Sequence, residues 1–403
     1  MGEGIGGGDA AEILADIRLW AHQAPPISGT EYGERYRRVQ ALMAERGVDA
    51  LVLGSNPNVR YFTGITWAGG TTDRLFVCIV PREGAPHYVC PLFEEGTLRA
   101  SWCEEGEPWF WQEHEDPYAR FERVLEKLSA TRIAVDPGIP FFWGEAMRRA
   151  AAGREFIDGS ALVDCCRVQK SAAEIALMQQ AKDMTLEVHR LTARILAPGI
   201  STTEVRAFIN DAHRAIGADG SSFCIVLFGE ATSYPHGVPY AQRLEEGDTV
   251  LIDTGCLVQG YNSDITRTYV YGEASQAVRD VWALEKAAQA AAFDAAVVGA
   301  SCEAVDAAAR RVIEEAGLGP DYEVPGLPHR TGHGIGLSIH EAPYLVRGSE
   351  EKLREGMCFS NEPMIVVPGE FGVRLEDHFY MTAEGPRWFT QPSHSIDEPF
   401  AMS

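Results

Sequence analysis

The sequence predicts an α+β chain in two parts: a smaller α/β domain, then a larger one whose two similar halves share a curved antiparallel sheet with helices on its outside. Three observations carry this expectation. Short apolar runs alternate with helical patterns over residues 11–165. Between Gly159 and Ser171 the pattern changes, and a long helix opens there on a capping box, Ser171 with Glu174. Beyond it, the order helix, helix, strands occurs twice within roughly 230 residues.

In chain order, residues 1–10 read as a flexible, glycine-rich start with no basic or apolar segment of a secretory signal. Helices are expected at 11–22 and 31–46, the second stopped by Gly47 before the strand 50–53. A hairpin around Glu83-Gly84 joins strands 74–80 and 86–90. A helix at 92–101, a strand at 132–135, a helix at 144–151 and a strand at 155–158 complete the first domain. Trp109-Phe110-Trp111 reads as core or a domain contact, and Glu113 to Asp116 as a solvated loop, because four adjacent polar residues point in different directions. Arg60 to Gly64 reads equally as the lining of a pocket or as a loop with a buried tyrosine. In the second domain, 166–403, Leu177, Ala181, Met184, Val188, Leu191 and Ile195 form one apolar helical stripe ending at Pro198-Gly199. Ser201 and Glu204 box a second helix, closed by Gly217. Strands follow at 223–229, 249–255 and 265–271. Helices at 275–298 and 302–316 and strands at 329–334, 357–367 and 372–382 repeat the order.

Composition narrows the function classes. With 58 acidic against 35 basic residues the formal charge is −23, which disfavours nucleic acid and anionic membrane surfaces as partners. No apolar run approaches the ~20 residues of a membrane span. The nine cysteines have no regular spacing and Cys165-Cys166 are adjacent, so reduced thiols and a cytoplasmic location are expected.

The chemistry is concentrated late in the chain. Asp253, Asp264, Glu362 and Glu376 interrupt strands that are otherwise apolar, where unpaired carboxylates would be very costly. Asp253 and Asp264 lie 11 residues apart around Gly260, a spacing that predicts a hairpin symmetric about positions 258 and 259 with the two aspartates opposed. His333 stands among Gly332, Gly334 and Gly336, which allow close approach. One imidazole with four carboxylates matches the charge of two divalent cations, with manganese, cobalt, iron or zinc all compatible. The Gly332-x-Gly334-x-Gly336 run is not a dinucleotide fingerprint, and no Walker-type loop is present.

Taken together, Ile252-Asp253-Thr254-Gly255, Ser263-Asp264-Ile265-Thr266-Arg267-Thr268, His333, Asn361-Glu362-Pro363 and Arg374-Leu375-Glu376-Asp377 resemble the pita-bread metallopeptidases. The chain is most similar to their proline-specific branch: bacterial Xaa-Pro dipeptidases (prolidases) first, aminopeptidase P next. The resemblance spans residues 171 to 390, and the first half resembles the creatinase-type domain of the same branch. It implies Asp253, Asp264, His333, Glu362 and Glu376 as ligands of two divalent ions, manganese foremost, with Asp264 and Glu376 bridging and a bridging hydroxide as nucleophile. It implies Glu362 as general base then acid, His340 and His236 stabilising the oxyanion or the scissile carbonyl, His329 at the substrate, and Arg374 ordering the ligands. Recognition of a terminal proline carboxylate needs a fork-shaped cation, for which Arg347 is the candidate. The implied activity is hydrolysis of Xaa-Pro dipeptides by a homodimer; the alternative is release of the N-terminal residue from longer Xaa-Pro peptides. A metal-free creatinase-type or lyase activity, or a peptide-binding scaffold, is disfavoured by the intact ligand set.

Overall fold

The computed structural model describes residues 4–54, 57–67 and 73–400; Met1 to Glu3 of the expected flexible start lie outside them. The chain divides into two compact units, residues 27–167 and residues 1–26 with 168–403.

The 27–167 unit is one six-stranded sheet with helices around it. Its strands are β1 (Ala50–Leu53), β2 (Val77–Pro81), β3 (His87–Pro91), β4 (Glu107–Trp111), β5 (Arg132–Val135) and β6 (Glu155–Asp158), in the order β4-β3-β2-β1-β5-β6. β1 lies at the centre, antiparallel to β2 and parallel to β5, so both its faces are covered and all four residues are buried and apolar. The helix before it, Gly29–Glu45, is capped by Ser28 and released by Gly47 at φ +64°. The tryptophan cluster is β4: Trp111 is buried and donates to the Leu75 carbonyl at 3.1 Å, and Trp109 donates to His87 Nδ1 at 3.1 Å. The acidic run beside it is a turn, in which Glu113 and Glu115 pair with Arg74 and Arg120 and Asp116 caps the helix Pro117–Lys127. Tyr61 lies in a short helix, Pro57–Thr63, and its hydroxyl donates to the Cys166 carbonyl at 2.6 Å.

Both capping boxes of the second unit form, opening the helices Ala172–Arg194 and Thr202–Ile216. The second pair is Gln276–Ala295 and Cys302–Glu315. The strands are β7 (Ser221–Phe228), β8 (Thr249–Val258), β9 (Tyr261–Asn262) and β10 (Ile265–Val270), then β11 (Gly332–Gly334), β12 (Glu341–Leu345), β13 (Cys358–Asn361), β14 (Met364–Val367), β15 (Phe371–Arg374), β16 (Asp377–Thr382) and β17 (Gly385–Trp388). They form ladders in the orders β10-β8-β7, β12-β11-β13-β16-β17 and β14-β15, with isolated bridges at Thr266↔Glu376 and Gly326↔Val366.

Three expectations differ from the structure. The helix expected at 11–22 is only Ala10–Asp16, and this segment packs with the second unit rather than opening the first. Gly6 and Gly8 donate to the Ala193 and Arg194 carbonyls, and Trp20 to that of Ile216, so backbone pairing draws the chain onto the long helices. The strands expected at 357–367 and 372–382 are each broken in two, at Glu362-Pro363 and Leu375-Glu376. The aspartate hairpin is shifted: Asp253 faces Thr266, not Asp264. Its turn residues Gln259 and Gly260 both have positive φ, 47° and 79°, the signature of a two-residue hairpin loop, and this centres the hairpin between 259 and 260. Asp253 and Asp264 are therefore diagonal neighbours on one face.

Candidate active site

The strand breaks position the site. β13 pairs with β16 up to Asn361↔Asp377, and β14 with β15 from Met364↔Arg374, so the chain changes ladder at the same level in both directions. Glu362 and Glu376 occupy these two crossings. The bridge Thr266↔Glu376 joins the second crossing to β10, beside Asp264. Gly332, whose hypothetical Cβ would lie 2.1 Å from the Ser360 carbonyl oxygen, lets β11 approach closely enough to deliver His333. Asp253, Asp264, His333, Glu362, Glu376, His236, His329, His340 and Arg374 line one cavity of about 560 Å³ with Phe223, Ile225, Pro235, Pro328, Arg330 and Ile339.

Contacts inside the cavity are direct. His333 Nε2 lies 3.1 Å from Glu362 Oε1 and 3.7 Å from Asp264 Oδ2. Its Nδ1–H donates to the Gly334 carbonyl at 3.0 Å, which presents Nε2 to the carboxylates. Arg374 donates through Nη2 to Asp253 Oδ2 at 2.6 Å, through Nε to Thr266 Oγ1 at 3.1 Å and through Nη1 to the Pro235 carbonyl at 3.1 Å. Thr266 donates to Glu376 Oε2 at 2.8 Å, and Ser360 to Glu362 Oε1 at 3.0 Å.

Three buried carboxylates, Asp253, Asp264 and Glu376, and the partly buried Glu362 share this space with one ion-paired arginine. Burial, then repulsion from neighbouring carboxylates, pushes Asp264 and Glu376 well above the usual range. Burial also raises Asp253, although the Arg374 charge opposes it. Glu362 goes the other way: burial pushes it up, but the His333 hydrogen bond and the charges of His333, His329 and Arg374 outweigh that. Among the described residues, Asp253 Oδ1 and Glu376 Oε1 are buried without a hydrogen-bond partner. Two orphaned carboxylate oxygens, excess negative charge and a mixed oxygen and imidazole donor set fit divalent metal ions. His333, Glu362 and Glu376 hold ligand atoms within 4.8 Å of one another, as do Asp264, His333 and His340.

The remaining sequence candidates separate. His340 opens to solvent on one side of the cavity; its ring lies 4.2 Å from that of His333, and partial desolvation with the nearby His333 and Arg330 charges holds it down to about 4. His236 is exposed in the cavity wall, and His329 is lowered by burial, with Nδ1 2.7 Å from the Arg330 carbonyl. Arg347 is not at the site. It is exposed, paired with Asp321, and lines a different depression with Glu303, Asp306 and Arg310. The resemblance points to it, but the turn after β12 carries it away from the cavity.

Sequence reasoning passed over three neighbours. Thr266 links Arg374 to Glu376, and its position two residues after Asp264 was the available signal. His378, two residues past Glu376 and so on the same strand face, is fully buried with Nε2 3.9 Å from Glu376 Oε1. Arg330 lies three residues before His333 and had no pattern to mark it.

The sequence pattern of metallopeptidase family M24 matches residues 176–383, and that of the creatinase/prolidase N-terminal domain matches 35–169. The crystal structure of dipeptidase PepE from Mycobacterium ulcerans superposes with a TM-score of 0.84 at 33% identity, covering 92% of this chain and 99% of that one. The recombinant prolidase from Thermococcus sibiricus gives 0.82 at 30%, covering 91% and 98%. The Xaa-Pro dipeptidase of Lactobacillus delbrueckii subsp. lactis is 30% identical over 368 residues, 89% of this chain and 97% of its own length. A matching pattern over more than half the chain, and likeness along nearly the full length of these relatives, place the chain in metallopeptidase family M24.

Proposed function

We propose that this metallopeptidase hydrolyses the Xaa-Pro bond of dipeptides with two divalent ions, manganese foremost. The observation that carries the reading is the convergence of Asp253, Asp264, His333, Glu362 and Glu376 in one cavity with three further histidines and Arg374. The names borne by the Thermococcus and Lactobacillus relatives support the proline preference. Asp253, Asp264, His333, Glu362 and Glu376 would hold the ions. When bound, the ions lower the pKa of water toward about 7 and so supply a nucleophile at neutral pH.

The chain's own residues do the rest. Glu362, fixed by Ser360 and His333, takes the proton of the attacking water and returns it to the proline nitrogen as the C–N bond breaks. His340 and His236, on the open side of the cavity, donate to the oxygen of the tetrahedral adduct. Arg374 holds Asp253 in one rotamer, and Thr266 does the same for Glu376. His329 completes the substrate wall.

The test is hydrolysis of Ala-Pro beside Ala-Pro-Ala, with chelated enzyme before and after manganese is restored. Metal-dependent cleavage of the dipeptide with little of the tripeptide is expected. Preference for the tripeptide would make the chain an aminopeptidase P, and metal-independent turnover would sink the two-ion reading. The homodimer belongs to the same proposal and is tested by sedimentation velocity. Among the described residues no helix is long and apolar enough to cross a membrane.

A further inference from the structure

The helix Gln276–Ala295 carries two polar side chains, Glu285 and Gln289, that lie one turn apart and are 0% and 2% exposed. Such groups are costly in a core unless they are hydrogen-bonded, and both of these reach the two crossings. Gln289 Nε2 donates to the Leu375 carbonyl at 3.1 Å and to the Asn361 carbonyl at 3.3 Å, with Asp377 Oδ2 at 3.4 Å. Asn361 Nδ2 donates in return to the Gln289 main-chain carbonyl at 2.8 Å. The Leu375 N–H donates to Glu285 Oε1 at 2.9 Å.

Asn361 and Leu375 immediately precede Glu362 and Glu376, so their carbonyls belong to the planar peptide units that lead into the two glutamates. The N–H of each unit is tied to a neighbouring segment: Glu362 donates to the Thr331 carbonyl at 2.8 Å and Glu376 to the Thr266 carbonyl at 3.1 Å. One primary amide therefore completes the hydrogen bonding of both units, at the level where the chain leaves one ladder for another. Its hydrogens share a single nitrogen, and the two carbonyls cannot move apart without losing a bond. We infer that Gln289 is a positioning residue that fixes the separation of Glu362 and Glu376, with Glu285 steadying the second crossing. This rests on the metal-site reading above and deepens it. Gln289 lies outside the cavity lining and acts only through the two peptide units. Held in this way, the glutamates need no rearrangement when ions bind.

The test titrates chelated wild type, Gln289→Met, Gln289→Asn and Phe293→Leu with manganese by calorimetry. Tm in chelator, the visible absorption of cobalt-loaded enzyme and kinetics on Ala-Pro at saturating manganese are measured alongside. Methionine fills the volume without a donor; asparagine, one methylene shorter, keeps the amide but cannot reach both carbonyls. Phe293 lies on the same helix, stacked on Trp388 at 4.1 Å and away from the crossings, so Phe293→Leu reports what lost packing alone does. Both Gln289 variants should raise Kd for the ions by about 10- to 100-fold, alter the cobalt spectrum and lower kcat by a similar factor, with KM within about twofold. Phe293→Leu should lower Tm but keep the spectrum, with Kd and kcat within about twofold. If Gln289→Met does not fold, Gln289→Asn decides. Wild-type Kd and spectrum in the Gln289 variants, or losses that Phe293→Leu matches, overturn the inference. A wild type that binds one ion, with Kd raised in both Gln289 variants, sinks the two-ion reading and leaves Gln289 its role; binding of no ion overturns both.

Discussion

Replacing Arg267 by methionine should destabilise the second unit through a charge left alone in the core. Arg267 and Asp377 are both fully buried and meet through two hydrogen bonds, Nη2 to Oδ1 at 2.7 Å and Nη1 to Oδ2 at 3.2 Å. The same guanidinium donates to the carbonyls of Glu376 at 2.9 Å, Thr266 at 3.0 Å and Gln391 at 3.1 Å. Methionine fills much of the volume but leaves Asp377 with only the neutral donors Thr390 and Gln289. Breaking one side of a buried pair costs about 3–5 kcal/mol. At about 2–4 °C per kcal/mol, Tm should fall by about 6–20 °C. The assay is scanning calorimetry in chelator, so that metal binding does not contribute. Arg267→Met/Asp377→Asn removes the stranded charge and should recover about 1–2 kcal/mol of the loss. A fall below about 2 °C, or a double variant no more stable than the single, would refute the reasoning. Because Arg267 also holds the Glu376 carbonyl, metal affinity of the single variant should drop about 10- to 100-fold.

Manganese added to chelated enzyme should raise Tm with saturation at two ions per chain, each site contributing about 2.7 kcal/mol at a hundredfold excess over Kd; calorimetric titration gives the stoichiometry, and uptake of one ion or none contradicts the proposed ligand set. His213 is buried, with Nδ1–H directed to the Ile209 carbonyl at 3.0 Å and Nε2 facing Thr185 Oγ1 at 3.1 Å, and burial holds it down to about 4. Its folded pKa is below the unfolded one, so the unfolded chain binds the extra proton: the contribution is complete above about 6.5 and is lost as pH falls toward 4, amounting to about 2 kcal/mol at pH 5. Denaturant unfolding in chelator at pH 7.5 and 5 should therefore show a smaller pH difference for His213→Leu, by about that amount. Arg347→Ala should leave kcat and KM for Ala-Pro within about twofold, since its partner Asp321 is exposed and outside the catalytic cavity; steady-state kinetics checks this.

Much of the fold was written in local signals. Ser171 with Glu174, and Ser201 with Glu204, open helices because two reciprocal hydrogen bonds satisfy helix-end groups whatever lies beyond. Carboxylates inside apolar runs marked the site because burial penalises them wherever the strands lead. The unreadable parts are those decided by distant chain. Gly6 to Trp20 contain no cue that their partners are the helices ending near Ala193 and Ile216. β12 contains Pro343, which argues against a strand but is tolerated at the edge of its ladder. Ser360, Asn361 and Pro363 around Glu362 mark a strand end, but they do not say which ladder the chain joins next. Nor does a family pattern tell which way an arginine points when the alignment slips: Arg330 lines the cavity and Arg347 does not.

The two crossings have a consequence for how this catalytic unit tolerates change. Between Glu362 and Glu376 the chain runs out along β14, turns over Pro368-Gly369-Glu370 and returns along β15. The carboxylates meet this ribbon only at its base, where Met364 pairs with Arg374. Residues added in matched pairs at the exposed tip, 368–370, would lengthen the ribbon and leave the catalytic geometry undisturbed. A single residue inserted between Arg374 and Glu376 would turn one of them to the opposite face and separate the arginine from the carboxylates it serves. The ribbon is thus a graft point, free to diversify at its outer end, whereas its base admits no change of length at all.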